Sequence, residues 1–203
     1  MFKQPFFPIA NIEALPLGEV NVGGILDRIR LIPAAQVRRV ATPLSDGILP
    51  TDFMYADLDT SFVDVHLSVD SGLFLETMQT TVNGNAWLQE LSFDLAKTSG
   101  FLSNWIAQNI EIEFFAFITD KNRKSFLLGD LCQPLKFTED VGSPSGRAGQ
   151  NKRQWKLSAL VCHPAYGLFR EYQLIEFVEI GGELLVKFPL ASFDAGFNNG
   201  FDN

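Results

Sequence analysis

The chain has 203 residues, 46% hydrophobic, 20% charged and 12% aromatic, with a formal net charge of −8. That length suits one domain, with or without extended arms, and burial of about 70% of the unfolded surface makes disulfide or metal staples unnecessary. The acidic balance speaks against general nucleic-acid binding, the hydrophobicity against disorder, and no apolar run approaches the roughly 18 residues of a membrane span.

Residues 1–35 read as an extended, greasy arm. The segment mixes Phe2, Phe6, Phe7 and Ile9 with Pro5, Pro8, Pro16 and Pro33, and proline removes donors that a central strand needs. Met1–Pro8 lacks the apolar core of a signal peptide, so no secretion is expected. Residues 36–189 read as a single β-rich domain. Weaker strands are expected at Gln36–Thr42 and Leu73–Thr80. Period-two alternation is clearest in three segments: Asn85–Leu95, with Trp87, Leu91, Phe93 and Leu95 on one face; Asn109–Thr119; and Lys152–Cys162, with Trp155, Leu157, Ala159 and Val161 on one face. Between the first two, Phe101, Leu102, Trp105 and Ile106 form an apolar stripe that predicts a short helix over Ser99–Ala107.

Asp120–Lys124 reads as a hairpin turn leading into a strand at Lys124–Gly129, followed by another at Leu135–Thr138. Glu139–Asn151, rich in Gly and Ser, reads as a long polar loop. Strands at Tyr172–Glu179 and Glu183–Phe188 flank a Gly181-Gly182 turn. Residues 190–203 form a tail in which Phe193, Phe197 and Phe201 recur every four residues in a Gly/Asn background that will not hold a helix. The expected fold is therefore mostly β: an antiparallel β-sandwich or barrel with one short helix and an extended arm at each end.

Chemistry-bearing motifs are sparse. Cys132, Cys162, His66 and His163 show no zinc-ligand spacing, and Cys162 and His163, as neighbours on a strand, are expected to point to opposite faces and not share a metal. The thiols are expected to be buried and inert, and His66, in Val65-His66-Leu67, to be a satisfied core histidine. Gly18, Gly23 and Gly24 make no phosphate loop, no Gly-x-Ser-x-Gly elbow exists, and Asp57-Leu58-Asp59 lacks the remaining ligands of a calcium loop. Glu111 and Glu113 resemble a glycosidase pair only in sharing a strand face, which is more simply the solvent face. No catalytic residue, cofactor or metal is expected.

Charge is segregated along the chain. Residues 41–71 contain Asp46, Asp52, Asp57, Asp59, Asp64 and Asp70 and no Lys or Arg, whereas residues 120–156 hold eight of the sixteen basic residues. Such segregation suggests either solvated loops or complementary surfaces that steer subunits together. With Phe2, Phe6, Phe7, Phe193, Phe197 and Phe201 in the arms and Arg147, Lys152 and Arg153 flanking the Gly/Ser loop, these residues are the candidate subunit contacts.

Leu128-Gly129-Asp130-Leu131, then Leu135-Lys136-Phe137, Ser145-Gly146-Arg147-Ala148-Gly149-Gln150-Asn151-Lys152-Arg153 and Trp155-Lys156-Leu157, form a two-strand unit, a Ser/Gly loop and a basic lead into an alternating strand. This texture resembles small β-rich structural proteins of tailed bacteriophages, of tail-tube or neck type. The resemblance implies a homomeric ring or tube within a virion, contacts with other virion proteins, an acidic surface past which DNA slides, and no sequence-specific DNA binding or membrane. The expected function is that of a non-enzymatic virion structural protein assembled in a host cytoplasm. The alternative is a soluble carbohydrate-binding-like β-sandwich module using exposed Trp87, Trp105 or Trp155.

Overall fold

Phe114-Phe115-Ala116-Phe117-Ile118-Thr119 offers no polar face, a pattern that suits a strand covered on both sides. In a computed structural model this segment is strand β7, and all six residues are buried. The structure describes residues 24–189 apart from 27, 83, 97–99, 144–151, 169 and 171. Its elements are β1 (Arg28–Pro33), β2 (Val37–Val40), β3 (Asp52–Ala56), β4 (Val63–His66), β5 (Leu73–Thr81), β6 (Gly84–Ala96), α1 (Gly100–Asn109), β7 (Phe114–Thr119), β8 (Ser125–Leu128), β9 (Lys136–Ser143), β10 (Lys152–Val161), β11 (Tyr166–Gly167), β12 (Glu176–Ile180) and β13 (Glu183–Lys187).

These strands form three sheets with antiparallel ladders, in the orders β11-β8-β7-β1-β4, β5-β6-β10-β9 and β12-β13-β3-β2. The first lies between the other two. One of its faces sends Ile29, Leu31, Phe114, Ala116, Ile118 and Leu128 into a core shared with Leu91, Phe93, Trp155 and Leu157. The opposite face sends Ile32, Phe115, Phe117 and Leu127 into a second core with Phe53, Met54, Val186 and Phe188. The architecture is thus a β-sandwich of three stacked sheets, and each sheet keeps two edge strands, so none closes into a barrel.

Several expectations hold. The alternating segments at 85–95 and 152–162 become β6 and β10, paired over ten residues from Lys152↔Ala96 to Val161↔Trp87. The Asp120–Lys124 turn closes the β7–β8 hairpin; the Asp120 carboxylate accepts the Lys124 N–H at 2.8 Å, and Arg123 takes φ 64°. Gly181 and Gly182, at φ 61° and 85°, supply the two left-handed positions of the β12–β13 turn.

Others are corrected. The arm expected to reach residue 35 gives way to β1 at Arg28, inside the central sheet; Pro33 is tolerated because it ends that strand. The Asp-rich stretch contains β3 and β4, where Phe53, Met54, Ala56 and Val65 point inward. The strand expected from Asn109 begins only at Phe114, because α1 runs on to Asn109, whose side-chain amide donates to the Trp105 carbonyl at 2.7 Å. Within α1, Ile106 is buried and Leu102 and Trp105 pack on the core, but Phe101 is exposed. The polar loop expected from Glu139 is β9 as far as Ser143, held in register by β10.

Candidate functional site

Two loops beside the edge strand β11 converge on one point. The 129–135 loop after β8 carries Asp130, and the bend after β10 carries Cys162 and His163. His163 Nε2 lies 2.9 Å from Asp130 Oδ2, Cys162 Sγ lies 4.0 Å from the same oxygen, and donor atoms of all three residues fall within 4.8 Å of one another. The expectation that Cys162 and His163 face apart is corrected for a simple reason: β10 ends at Val161, so strand alternation no longer applies. Both cysteines are free thiols and exposed rather than buried. His66 is likewise exposed, at the end of β4.

The loops are held from below by a buried amide. Gln89, fully buried on β6, accepts the Gly129 N–H at 2.9 Å and donates to Glu76 Oε1 at 3.3 Å; the same Glu76 oxygen accepts the Ala165 N–H at 2.6 Å. One Gln–Glu pair therefore holds Gly129, next to Asp130, and Ala165, two residues after His163. Gly129 at φ 88° lets the chain turn there, and a Cβ would crowd the Phe114 carbonyl at 3.3 Å. Asp130 caps its own loop, Oδ1 accepting the Cys132 N–H at 3.2 Å. Tyr166 stacks on the His163 ring at 4.0 Å between centroids and 11° between planes. Burial, with the neighbouring Asp130 and Cys162, pushes the Tyr166 phenol above its ordinary range.

The candidate subunit contacts Phe2, Phe6, Phe7, Arg147, Phe193, Phe197 and Phe201 lie outside the described residues. Lys152 and Arg153 are described, and both engage this chain itself. Lys152 Nζ pairs with Asp94 at 2.7 Å. Arg153 is buried, forks onto Asp140 at 2.5 Å through both Nε and Nη2, and donates to Ser103 Oγ at 2.6 Å. Within the chain it is a strut between β9, β10 and α1, its side chain on the inward face of β10.

The acidic stretch does not form a bare acidic surface. Asp64 takes a two-point contact from Arg30 at 2.7 and 2.9 Å, which holds its carboxyl below the ordinary range; Asp57 pairs with Arg38, and Asp70 with Lys121. Asp46 accepts the Ile48 N–H at 3.0 Å. Asp52 and Asp59 are exposed. The Asp70–Lys121 pair joins the acidic segment to the basic one, so segregation along the sequence is partly cancelled in space.

Two surfaces remain. On the outer face of the β5-β6-β10-β9 sheet, Leu73, Leu75, Leu160 and Val141 are 54%, 49%, 43% and 50% exposed around the Lys156–Glu90 ion pair. A cleft of about 770 Å³ opens between the Ala34–Gln36 turn and the end of α1, lined in part by Gln36, Trp105, Asn109, Glu111 and Glu113. Glu113 is bound to Lys136 at 2.6 Å. Of the tryptophans, Trp155 is buried, whereas Trp105, stacked on it at 5.3 Å, and Trp87 are half-buried against the same core, and Trp105 also lines the cleft. Comparison with protein-family models, curated proteins and solved structures finds no match to the chain.

Proposed function

We propose that this chain is a structural protein of a tailed-phage virion that assembles into a ring or tube, in contact with other virion proteins. The observation that carries the reading is the outer face of the β5-β6-β10-β9 sheet. Leu73 and Leu75 lie on β5, a nine-residue edge strand of that sheet, and Leu160 on β10 and Val141 on the other edge strand, β9, extend the apolar surface across the same face. An apolar face next to an open edge is a template for pairing with a second chain. The basic lead into β10 and the two-strand unit before it supply the resemblance to tail-tube and neck proteins.

Mass photometry and sedimentation velocity of the full-length protein over a wide concentration range test this. Closed oligomers of one size, visible as rings by negative-stain microscopy, are expected, and the variant pair Leu75→Glu and Leu160→Glu should return them to monomer. A folded monomer at every concentration would overturn the proposal. The cleft beside Trp105 favours a second reading, a soluble carbohydrate-binding module. That reading requires a monomer whose tryptophan fluorescence responds saturably to soluble oligosaccharides.

A further inference from the structure

We propose that Asp130, Cys162 and His163 bind a zinc-class divalent cation, a role independent of assembly. The first argument is the tautomer of His163. Its Nδ1 lies 2.8 Å from the Pro164 carbonyl oxygen, which only accepts, so Nδ1 carries the hydrogen. In the neutral ring, Nε2 then presents a lone pair, and it presents it to the Asp130 carboxylate at 2.9 Å. Two acceptors at that separation repel unless a positive charge lies between them, either a proton or a metal ion. A backbone carbonyl holding the far ring nitrogen is also the arrangement that orients metal-bound histidines.

The second argument is the donor set. A thiol, an imidazole and a carboxylate together suit zinc, whereas calcium and magnesium take oxygen ligands. A tetrahedral centre with bonds of about 2.0–2.3 Å spaces its ligand atoms roughly 3.3–3.8 Å apart. The Cys162–Asp130 separation of 4.0 Å is close to that, the Asp130–His163 contact needs to open by about half an ångström, and the widest donor spacing, within 4.8 Å, needs to close by about one ångström. The third argument is preorganisation. Gln89 and Glu76 fix both loops, and Tyr166 fixes the imidazole plane, so little order is lost on binding. Cys162 is exposed, so water can reach the site and serve as a fourth ligand. On binding, the metal replaces the thiol proton and any proton held between His163 and Asp130; these protons pass to solvent and no electrons move.

The test uses reduced, full-length protein stripped with a chelator, titrated with Co²⁺ and then displaced by Zn²⁺. One saturable equivalent is expected, with the sulfur-to-cobalt charge-transfer band and the intense visible bands of a tetrahedral site. Cys162→Ser should abolish the charge-transfer band and Cys132→Ser should keep it. His163→Gln and Asp130→Asn should weaken binding by more than the 10–100-fold that loss of an outer partner costs. Asp130→Asn retains an oxygen for the Cys132 N–H, so its loop persists, and circular dichroism checks the fold of each variant. Absence of saturable binding would leave Asp130 and His163 as an ion pair only and overturn the proposal. A charge-transfer band that depends on Cys132 instead of Cys162, or an affinity unchanged by His163→Gln, would overturn it as well.

Discussion

Asp140 on β9 lies opposite Trp155 on β10 and reaches diagonally to Arg153, so one carboxylate accepts from the guanidinium Nε and Nη2 at 2.5 Å and from the indole N–H at 3.0 Å. The indole belongs to the aromatic group of Phe93, Trp105 and Phe137 at the bottom of the first core. A charged strut thus ends directly on an apolar one.

Removing the acid from that strut leaves a buried cation with lost partners. Asp140→Ala should destabilise the protein by about 3–5 kcal/mol, the usual cost of orphaning one member of a buried pair. Urea unfolding of variant and parent measures it. A loss under about 1 kcal/mol would mean that the pair behaves as a surface bridge.

The same contacts set an acid limit. Hydrogen bonds from Arg153 hold the Asp140 carboxyl below its ordinary value near 3.8, and those from Arg30 do the same for Asp64. A carboxyl depressed in the folded state binds more protons when unfolded, so its stabilisation is complete above the ordinary value. It is lost as pH falls below that value through the folded one. The stability gap between the parent and Asp140→Asn, followed by denaturant midpoints from pH 7 down to pH 2, should therefore shrink only in the acid limb.

Phe117 lies in the central strand, faces the second core and meets Phe53 edge-on at 6.0 Å. Phe117→Ala should cost about 3–5 kcal/mol. Hydrogen exchange should show the loss in the β12-β13-β3-β2 sheet before the β5-β6-β10-β9 sheet, since Phe117 does not face the latter. Equal loss in both would indicate that the three sheets unfold as one unit.

Gln89 serves the two loops that carry Asp130 and His163. Gln89→Leu leaves the Gly129 N–H without its acceptor and should cost about 1–3 kcal/mol. It should also weaken Co²⁺ binding about tenfold, in the range of lost outer-shell partners. Unfolding curves and metal titration on the same sample separate the two effects.

Much of the fold is legible in the residue order because local chemistry dictates it. The alternation of β6 and β10, the Asp120–Lys124 and Gly181-Gly182 turns and the Leu102–Trp105–Ile106 stripe are short-range patterns, each answerable to one strand pairing or one turn of backbone. β1, β3 and β4 were obscured because they are short and carry Pro33, Asp52 and Asp64, whose tolerance depends on position: a strand end for Pro33, an exposed site for Asp52, and Arg30 across the ladder for Asp64. Ile29, Leu31 and Ile32 mark β1 as apolar, but Pro33 in the same segment argues against a central strand unless it falls at the strand end.

The candidate metal site had no such signal. Asp130 and His163 stand 33 positions apart, and their meeting depends on where β10 stops and on a glutamine buried in β6. The sequence by itself determined a β-rich chain, its two glycine- and aspartate-turned hairpins and the apolar identity of its inward faces. Only the tertiary structure decided that two of those faces back onto a single central sheet, that Asp70 meets Lys121, and that Asp130, Cys162 and His163 share one point. Periodicity reports which side of a strand is apolar, whereas the partner across each face is chosen by packing between segments far apart in the chain.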